Sequence, residues 1–344
     1  MTHPSPPAII AERYEVLRKI GEGSFGEVYE VYDHNMRQTS ALKLLKRTSK
    51  NIWEEAQILQ SVAGEHVLQV RNADLVLGQP YIVTAVATHG TIAEQITPNV
   101  GVRVEKAVRW GRQSCQGVAR LHDLGLLHRD LKPENIFLDD RGDALIGDLG
   151  LSQLQNSGGY AEAGGSPPTM APEVAAGFTN NTRECYTARS DVFSLGASLY
   201  WMLAGSPALP SMSVQAIAFT HVPDIWNPAP HLPKALRDLV NRAVHFDASQ
   251  RPSSPANLDA SLASLKRMKR AWNRIPPHSG HQDCFEGEKS GSTSVSVCVS
   301  DIAGGASSVI DVHHRTSGRK LKEHCRQVPS SEIGPKLRSI FRNV

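Results

Sequence analysis

The chain has 344 residues, 40% hydrophobic and 21% charged, a balance that permits a large core and excludes wholesale disorder, a collagen repeat or a coiled coil. A formal net charge of +3 is too small to argue for a nucleic-acid or membrane partner from the whole molecule, so charge has to be read locally. The five cysteines, Cys115, Cys185, Cys284, Cys298 and Cys325, are odd in number, scattered and free of any Cys-x-x-Cys pair, which signals neither a disulfide framework nor a zinc site and fits a reducing cytoplasm.

The opening MTHPSPPAIIAER lacks the basic start and apolar stretch of a signal peptide, and Pro4, Pro6 and Pro7 exclude a helix, so residues 1–12 are expected to be a flexible terminus. Tyr14, Val16 and Leu17 lead into a glycine turn and Val28, Tyr29, Val31 and Tyr32 lead out of it, which predicts two strands; residues 40–46 predict a third. Ile52, Ala56 and Leu59 stand at helical spacing over 51–62, with Gly64 as the stop. Strand-like pieces follow near 67–77 and 81–87. From Thr91 the period turns helical, and Val104, Ala107, Val108, Cys115, Val118 and Leu121 predict a long helix ending before Gly125. The apolar run 192–205 falls short of the roughly 20 residues that a membrane span needs, and it contains Ser194 and Ser198, so it reads as a buried helix. Near Trp272 the helical pattern stops. The stretch IPPHSGHQD then reads as a linker over 273–290, followed by a small C-terminal domain at 291–344 with strands near 294–299 and 309–312.

Gly21-Glu22-Gly23-Ser24-Phe25-Gly26 is a turn whose bare backbone can press close to phosphates. A dinucleotide fingerprint would open a helix and place an acid about 20 positions on, where this chain has Ala41-Leu42-Lys43; a Walker A loop would continue with Lys, where Glu27 and Val28 stand. Lys43 is a cation on the third strand, with Glu55 on the next helix as its natural partner and Glu54 beside it. The decisive segment is His128-Arg129-Asp130-Leu131-Lys132-Pro133-Glu134-Asn135, followed by Asp148-Leu149-Gly150, Gly165-Ser166-Pro167 and Met170-Ala171-Pro172-Glu173.

In order and spacing these motifs resemble the eukaryotic-type (Hanks-type) serine/threonine protein kinases, bacterial members in particular, over about residues 13–270. The resemblance implies an α+β bilobal fold: a small antiparallel sheet lobe with one main helix at 13–88, a larger mainly helical lobe at 89–272, and a small C-terminal α+β segment. It implies ATP with magnesium, or manganese in its place, protein substrates, and autophosphorylation. Carried over residue by residue, the turn from Gly21 to Gly26 covers the phosphates. Val28, Ala41 and Phe137 sandwich the adenine, with Thr84 at the back of that pocket and Ala85 to Ala87 as the hinge. Lys43, held by Glu55, pairs with the α- and β-phosphates. Asp130 takes the substrate hydroxyl's proton and Lys132 steadies the γ-phosphate, while Asn135 and Asp148 hold the metal.

Leu149 departs from the usual Phe but keeps an apolar plug, and Leu59, His128 and Leu149 are expected to stack into a column tied to Asp191. Glu173 is expected to form a buried ion pair with Arg251. Arg129 is the residue on which a phosphorylated Ser152 or Ser157 would dock. A nucleotide-binding scaffold acting through the C-terminal segment is the runner-up. The basic residues of 315–342 are weighed as a nucleic-acid contact against a solvated helical surface, and the surface is favoured.

Overall fold

The computed structural model describes residues 9–23, 26–45, 61–62, 64–266, 270–289, 291–302 and 306–344. Strands β1 (Ile9–Ile10), β2 (Tyr14–Gly23), β3 (Gly26–Asp33), β4 (Gln38–Leu45), β5 (Val70–Val76) and β6 (Gln79–Thr84) form one antiparallel sheet in the order β1-β2-β3-β4-β6-β5. Alternation puts Tyr14, Tyr29, Val31, Leu42, Tyr81 and Val83 into one core on this sheet. The register opposes Val28 to Lys43 and Ala41 to Thr84. The flexible terminus expected at 1–12 is corrected at its end: Ile10 is 1% exposed and pairs with Tyr14, because its side chain belongs to that core. The helix expected over 51–62 lies outside the described residues except at 61–62.

A short helix α1 (Ile92–Gln95) leads to α2 (Val104–Asp123), which buries Val104, Ala107, Cys115, Val118 and Leu121 along one stripe. Two-stranded ribbons follow: β7 (Leu126–Leu127) with β10 (Gln153–Leu154), β8 (Ile136–Leu138) with β9 (Ala144–Ile146), and β11 (Ala161–Glu162) with β12 (Glu184–Tyr186). The large lobe is completed by α3 (Pro172–Thr179), α4 (Ala188–Ala204), α5 (Val214–Ile217), α6 (Lys234–Ala243) and α7 (Pro255–Ala263). Helix α4 is the apolar run read from sequence, and it is buried almost all round. Thr187 and Ser190 cap its start reciprocally, and Gly205 ends it at φ 78°. A Cβ at Gly205 would meet the Val100 nitrogen at 2.4 Å, so only glycine fits there. Among the described residues no helix is long and apolar enough to cross a membrane.

The linker expected at 273–290 is instead two strands, β13 (Ala271–Ile275) and β14 (Asp283–Glu288), and the proline–glycine stretch is the connection between them. They continue into β15 (Val295–Asp301), β16 (Ser307–His314) and β17 (Arg326–Pro329), a consecutive antiparallel sheet covered by α8 (Ile333–Asn343). The reason is Trp272. At 1% exposure it packs with Phe285, Val297, Val299, Ile310 and Val312 under Leu337 and Ile340, so it belongs to this sheet and not to the end of the large lobe. The sheet grips that lobe by polar contacts: Val104 N–H donates to Asn273 Oδ1 at 2.9 Å, Arg274 donates to the Pro228 carbonyl at 3.0 Å, and Arg103 pairs with Glu288 at 2.7 Å. Arg338 of α8 lies over the Trp226 ring at 5.0 Å.

Candidate active site

Between the small sheet and the helical lobe lies a cleft of about 1110 Å³. Its roof is the glycine hairpin, where strand pairing brings Gly23 opposite Gly26. A Cβ on Gly26 would come within 2.1 Å of the Leu44 carbonyl oxygen, so β4 can run this close only beneath a glycine. Gly21, Glu22, Gly26, Val28, Ala41, Lys43, Thr84, Ala85, Ala87, Phe137, Asp130, Lys132, Asn135 and Asp148 all line the cleft. Of the remaining candidates Gly23 is placed in the hairpin but not in the lining, and Ser24, Phe25 and Glu55 lie outside the described residues.

At the back, Lys43 Nζ donates to Asp148 Oδ1 at 2.7 Å, joining the two lobes. Asp148 adopts φ 57° and ψ 64°, a left-handed conformation costing a non-glycine residue roughly 1 kcal/mol. Leu149, 1% exposed, is buried in the large-lobe core beside it. Gly147, just before, is pressed by Phe137: an added Cβ would lie 2.8 Å from the ring.

At the floor, Asp130 is 8% exposed and richly bonded. Its Oδ1 accepts from Ser166 Oγ at 2.6 Å, and its Oδ2 accepts from Lys132 Nζ at 2.9 Å and Asn135 Nδ2 at 3.0 Å. Lys132 also donates to Ser166 Oγ at 2.7 Å. Burial works against the charged form, but Ser166 and Lys132 outweigh it and hold the Asp130 carboxyl below the usual range. Asn135 spends its NH₂ on Asp130, on both the carboxylate and the backbone carbonyl, which leaves the amide oxygen as the group it can offer to a cation. An amide oxygen and a carboxylate are hard donors suited to magnesium, and both residues line the cleft, so the donor set fits the ion that the motifs imply.

The loop carrying Asp130 is pinned from beneath by Asp191 on α4, which is fully buried. This carboxylate accepts from the His128 N–H at 2.9 Å, the Arg129 N–H at 3.1 Å and Tyr186 Oη at 2.8 Å, and its Oδ2 lies 2.8 Å from His122 Nε2. Burial pushes its pKa up; the bond to His122 and the other partners prevail and keep it low. Nothing local in the sequence marks Tyr186 or His122, which come from β12 and the last turn of α2 and meet only in the fold. Of the expected column, His128 and Leu149 are buried, whereas Leu59 is outside the described residues.

Glu173 and Arg251 form a two-pronged pair at 2.8 Å for each contact, with Arg251 also over the Phe193 ring at 4.8 Å. The Arg251 side chain is fully buried, but Glu173 keeps 28% exposure, so the pair is half open and not the buried one expected. The Arg129 guanidinium donates to the carbonyls of Leu151 and Ala163 at 2.9 and 3.1 Å. Ser152 bonds the His128 carbonyl at 3.3 Å, and Ser157 is exposed.

The family model for the protein kinase domain matches residues 14–262. A probable serine/threonine-protein kinase, pknA2, of Bifidobacterium longum is 28% identical over 235 residues, which cover 64% of this chain and 30% of that protein. The ovarian-specific serine/threonine-protein kinase Lok of Drosophila melanogaster is 30% identical over 284 residues, 74% of this chain and 57% of that protein. The DNA damage-responsive serine/threonine-protein kinase RqkA of Deinococcus radiodurans is 30% identical over 282 residues, 76% and 41%. The chain therefore spans between 30% and 57% of the length of these relatives. Both lobes and the cleft between them fall within the family match, and the chain belongs to the protein kinase family.

Proposed function

We propose that the chain is a serine/threonine protein kinase that transfers the γ-phosphoryl group of ATP to hydroxyls of protein substrates and to itself. The observation that carries this reading is the single cleft holding Lys43 paired to Asp148 and, within the same lining, Asp130 with its Ser166 and Lys132 partners. Asp130, kept ionised by those partners, would take the proton of the incoming hydroxyl at its carboxylate and orient the oxygen for in-line attack. Lys132, next to it, would offset charge on the transferred group. Lys43 would grip the α- and β-phosphates, while Asp148 and Asn135 would hold magnesium, which would supply positive charge against the phosphates. The Ala85 N–H is spent on the Gln69 carbonyl at 3.0 Å, so adenine recognition in the hinge would fall to the Ala85 carbonyl and to Ala87.

A scaffold without catalysis gains nothing from this site, since none of Lys43, Asp130, Lys132, Asn135 and Asp148 is replaced. The basic C-terminal residues favour the solvated-surface reading over a nucleic-acid contact: Arg315 pairs with Glu286 at 3.1 Å, Lys320 with Asp311 at 2.7 Å, and Arg338 lies on Trp226.

The test is incubation of the purified chain with magnesium and γ-labelled ATP, alone and with a generic basic protein. Label on serine or threonine is expected, and Asp130→Asn and Lys43→Met should each lower it by on the order of a hundredfold or more while the thermal unfolding curve is kept. Labelling of the Asp130→Asn protein at the wild-type rate would sink the assignment.

A further inference from the structure

Away from the cleft, four side chains with no part in it meet on the C-terminal sheet. Cys284 on β14 and Cys298 on β15 stand opposite each other in the antiparallel register. Their chain neighbours Phe285, Val297 and Val299 fill the core under α8, so the cysteines occupy the other face. Both are buried, at 0% and 1% exposure, and both are free thiols. The β13–β14 connection folds over them. Gly280 takes φ 83°, the His281 N–H donates to the His278 carbonyl at 3.0 Å, and the Gln282 N–H donates to the Val299 carbonyl at 2.8 Å. This brings Nδ1 of each imidazole to the sulfurs. Cys284 Sγ is 3.3 Å from Cys298 Sγ, 3.5 Å from His278 Nδ1 and 3.6 Å from His281 Nδ1, and Cys298 Sγ is 3.7 Å from His278 Nδ1. All four donor atoms lie within 4.8 Å of one another.

We propose that His278, His281, Cys284 and Cys298 bind one zinc ion, which fastens the β13–β14 connection to the sheet. Zinc–sulfur distances of about 2.3 Å and zinc–nitrogen distances of about 2.0–2.1 Å give a tetrahedron whose edges are roughly 3.3–3.8 Å. Four of the six edges run from 3.3 to 3.7 Å, and the other two stay within 4.8 Å. Two thiolates balance the dication, so the ion can sit beside a buried pair of sulfurs without leaving net charge there. On binding, each thiol gives its proton to solvent and the imidazoles coordinate as neutral bases. A set of two sulfurs and two nitrogens selects zinc over magnesium, calcium and manganese, which take oxygen ligands. With four protein ligands the shell is closed, as in structural and not catalytic zinc sites.

The full chain, purified under reducing conditions from zinc-supplied medium and passed over a chelating resin, should carry about one zinc per chain by elemental mass spectrometry. Replacement by cobalt(II) should give the intense visible bands of a tetrahedral thiolate site. Cys298→Ser should lose at least nine-tenths of the zinc. His278 is exposed and free to change without disturbing the core, so His278→Ala should stay folded and bind zinc at least about tenfold more weakly. Wild-type protein with zinc in fewer than one chain in ten, or zinc retained in full by both variants, overturns the proposal. A Cys284–Cys298 disulfide recovered by peptide mapping of cells alkylated at lysis would overturn it too.

Discussion

Asp130 holds its charge where burial opposes it, and the side chains that make this possible are Ser166 and Lys132. Removing the Ser166 hydroxyl should let the Asp130 pKa rise. In Ser166→Ala the acid limb of the pH profile of kcat/KM is therefore expected to move to higher pH, whereas Ser166→Thr, which keeps a hydroxyl, should stay near wild type. An unmoved acid limb in Ser166→Ala would mean that the hydroxyl does not support the carboxylate. At this scale the sequence was most legible. Asp130, Lys132, Asn135 and Asp148 stand within one short, motif-bearing segment, and all four line the cleft. His278, His281, Cys284 and Cys298 did not. Their pairing depends on the cross-strand register of Cys284 with Cys298, and a search for Cys-x-x-Cys passes over His278-x-x-His281-x-x-Cys284.

Helix α2 shows what an element owes to its neighbours. Its apolar stripe is readable from periodicity, and the helix ends at Asp123, before Gly125, as the pattern required. Its start was not readable, because Arg103 at the N-cap makes no side-chain capping bond and the Val104 N–H is satisfied by Asn273, far along the chain. Asn273→Ala should leave that buried amide without its acceptor and cost about 1–2 kcal/mol, read as a lower urea midpoint at an unchanged slope. A midpoint equal to wild type would show that another group takes over the cap. Strand β13 carries no local signature for a related reason. The proline pair and glycine after Ile275 look like a linker, and only the burial of Trp272 against a sheet assembled from later residues makes AWNRI a strand.

For the whole molecule, the seam between the large lobe and the C-terminal sheet contains an ionisable group with nowhere to put a proton. His231 is 3% exposed, its ring centroid 5.5 Å from that of Phe285, and burial, aided by Arg274, pushes its pKa down to about 3. The unfolded chain binds that proton near pH 6.5, so the stabilisation is complete above this value and is lost as pH falls toward 3, at ~1.4 kcal/mol per unit. Urea unfolding should lose about 2 kcal/mol from this group between pH 7 and 5, and His231→Leu should remove that share of the slope. His128, which burial also holds below the usual histidine range, adds in both proteins a stabilisation that is lost as pH falls. An equal slope in both proteins would place the acid sensitivity elsewhere. The same seam sets a boundary for engineering. The rod of α2, about 30 Å long, is seated at one end by Asn273 and at the other, through His122, on the carboxylate that tethers the Asp130 loop. A chimera that transplants only residues 14–262 would leave this mounting behind: the rod would begin on an open amide, Trp226 would lose the Arg338 lid, and of the rod's two seats only the one at His122 would remain.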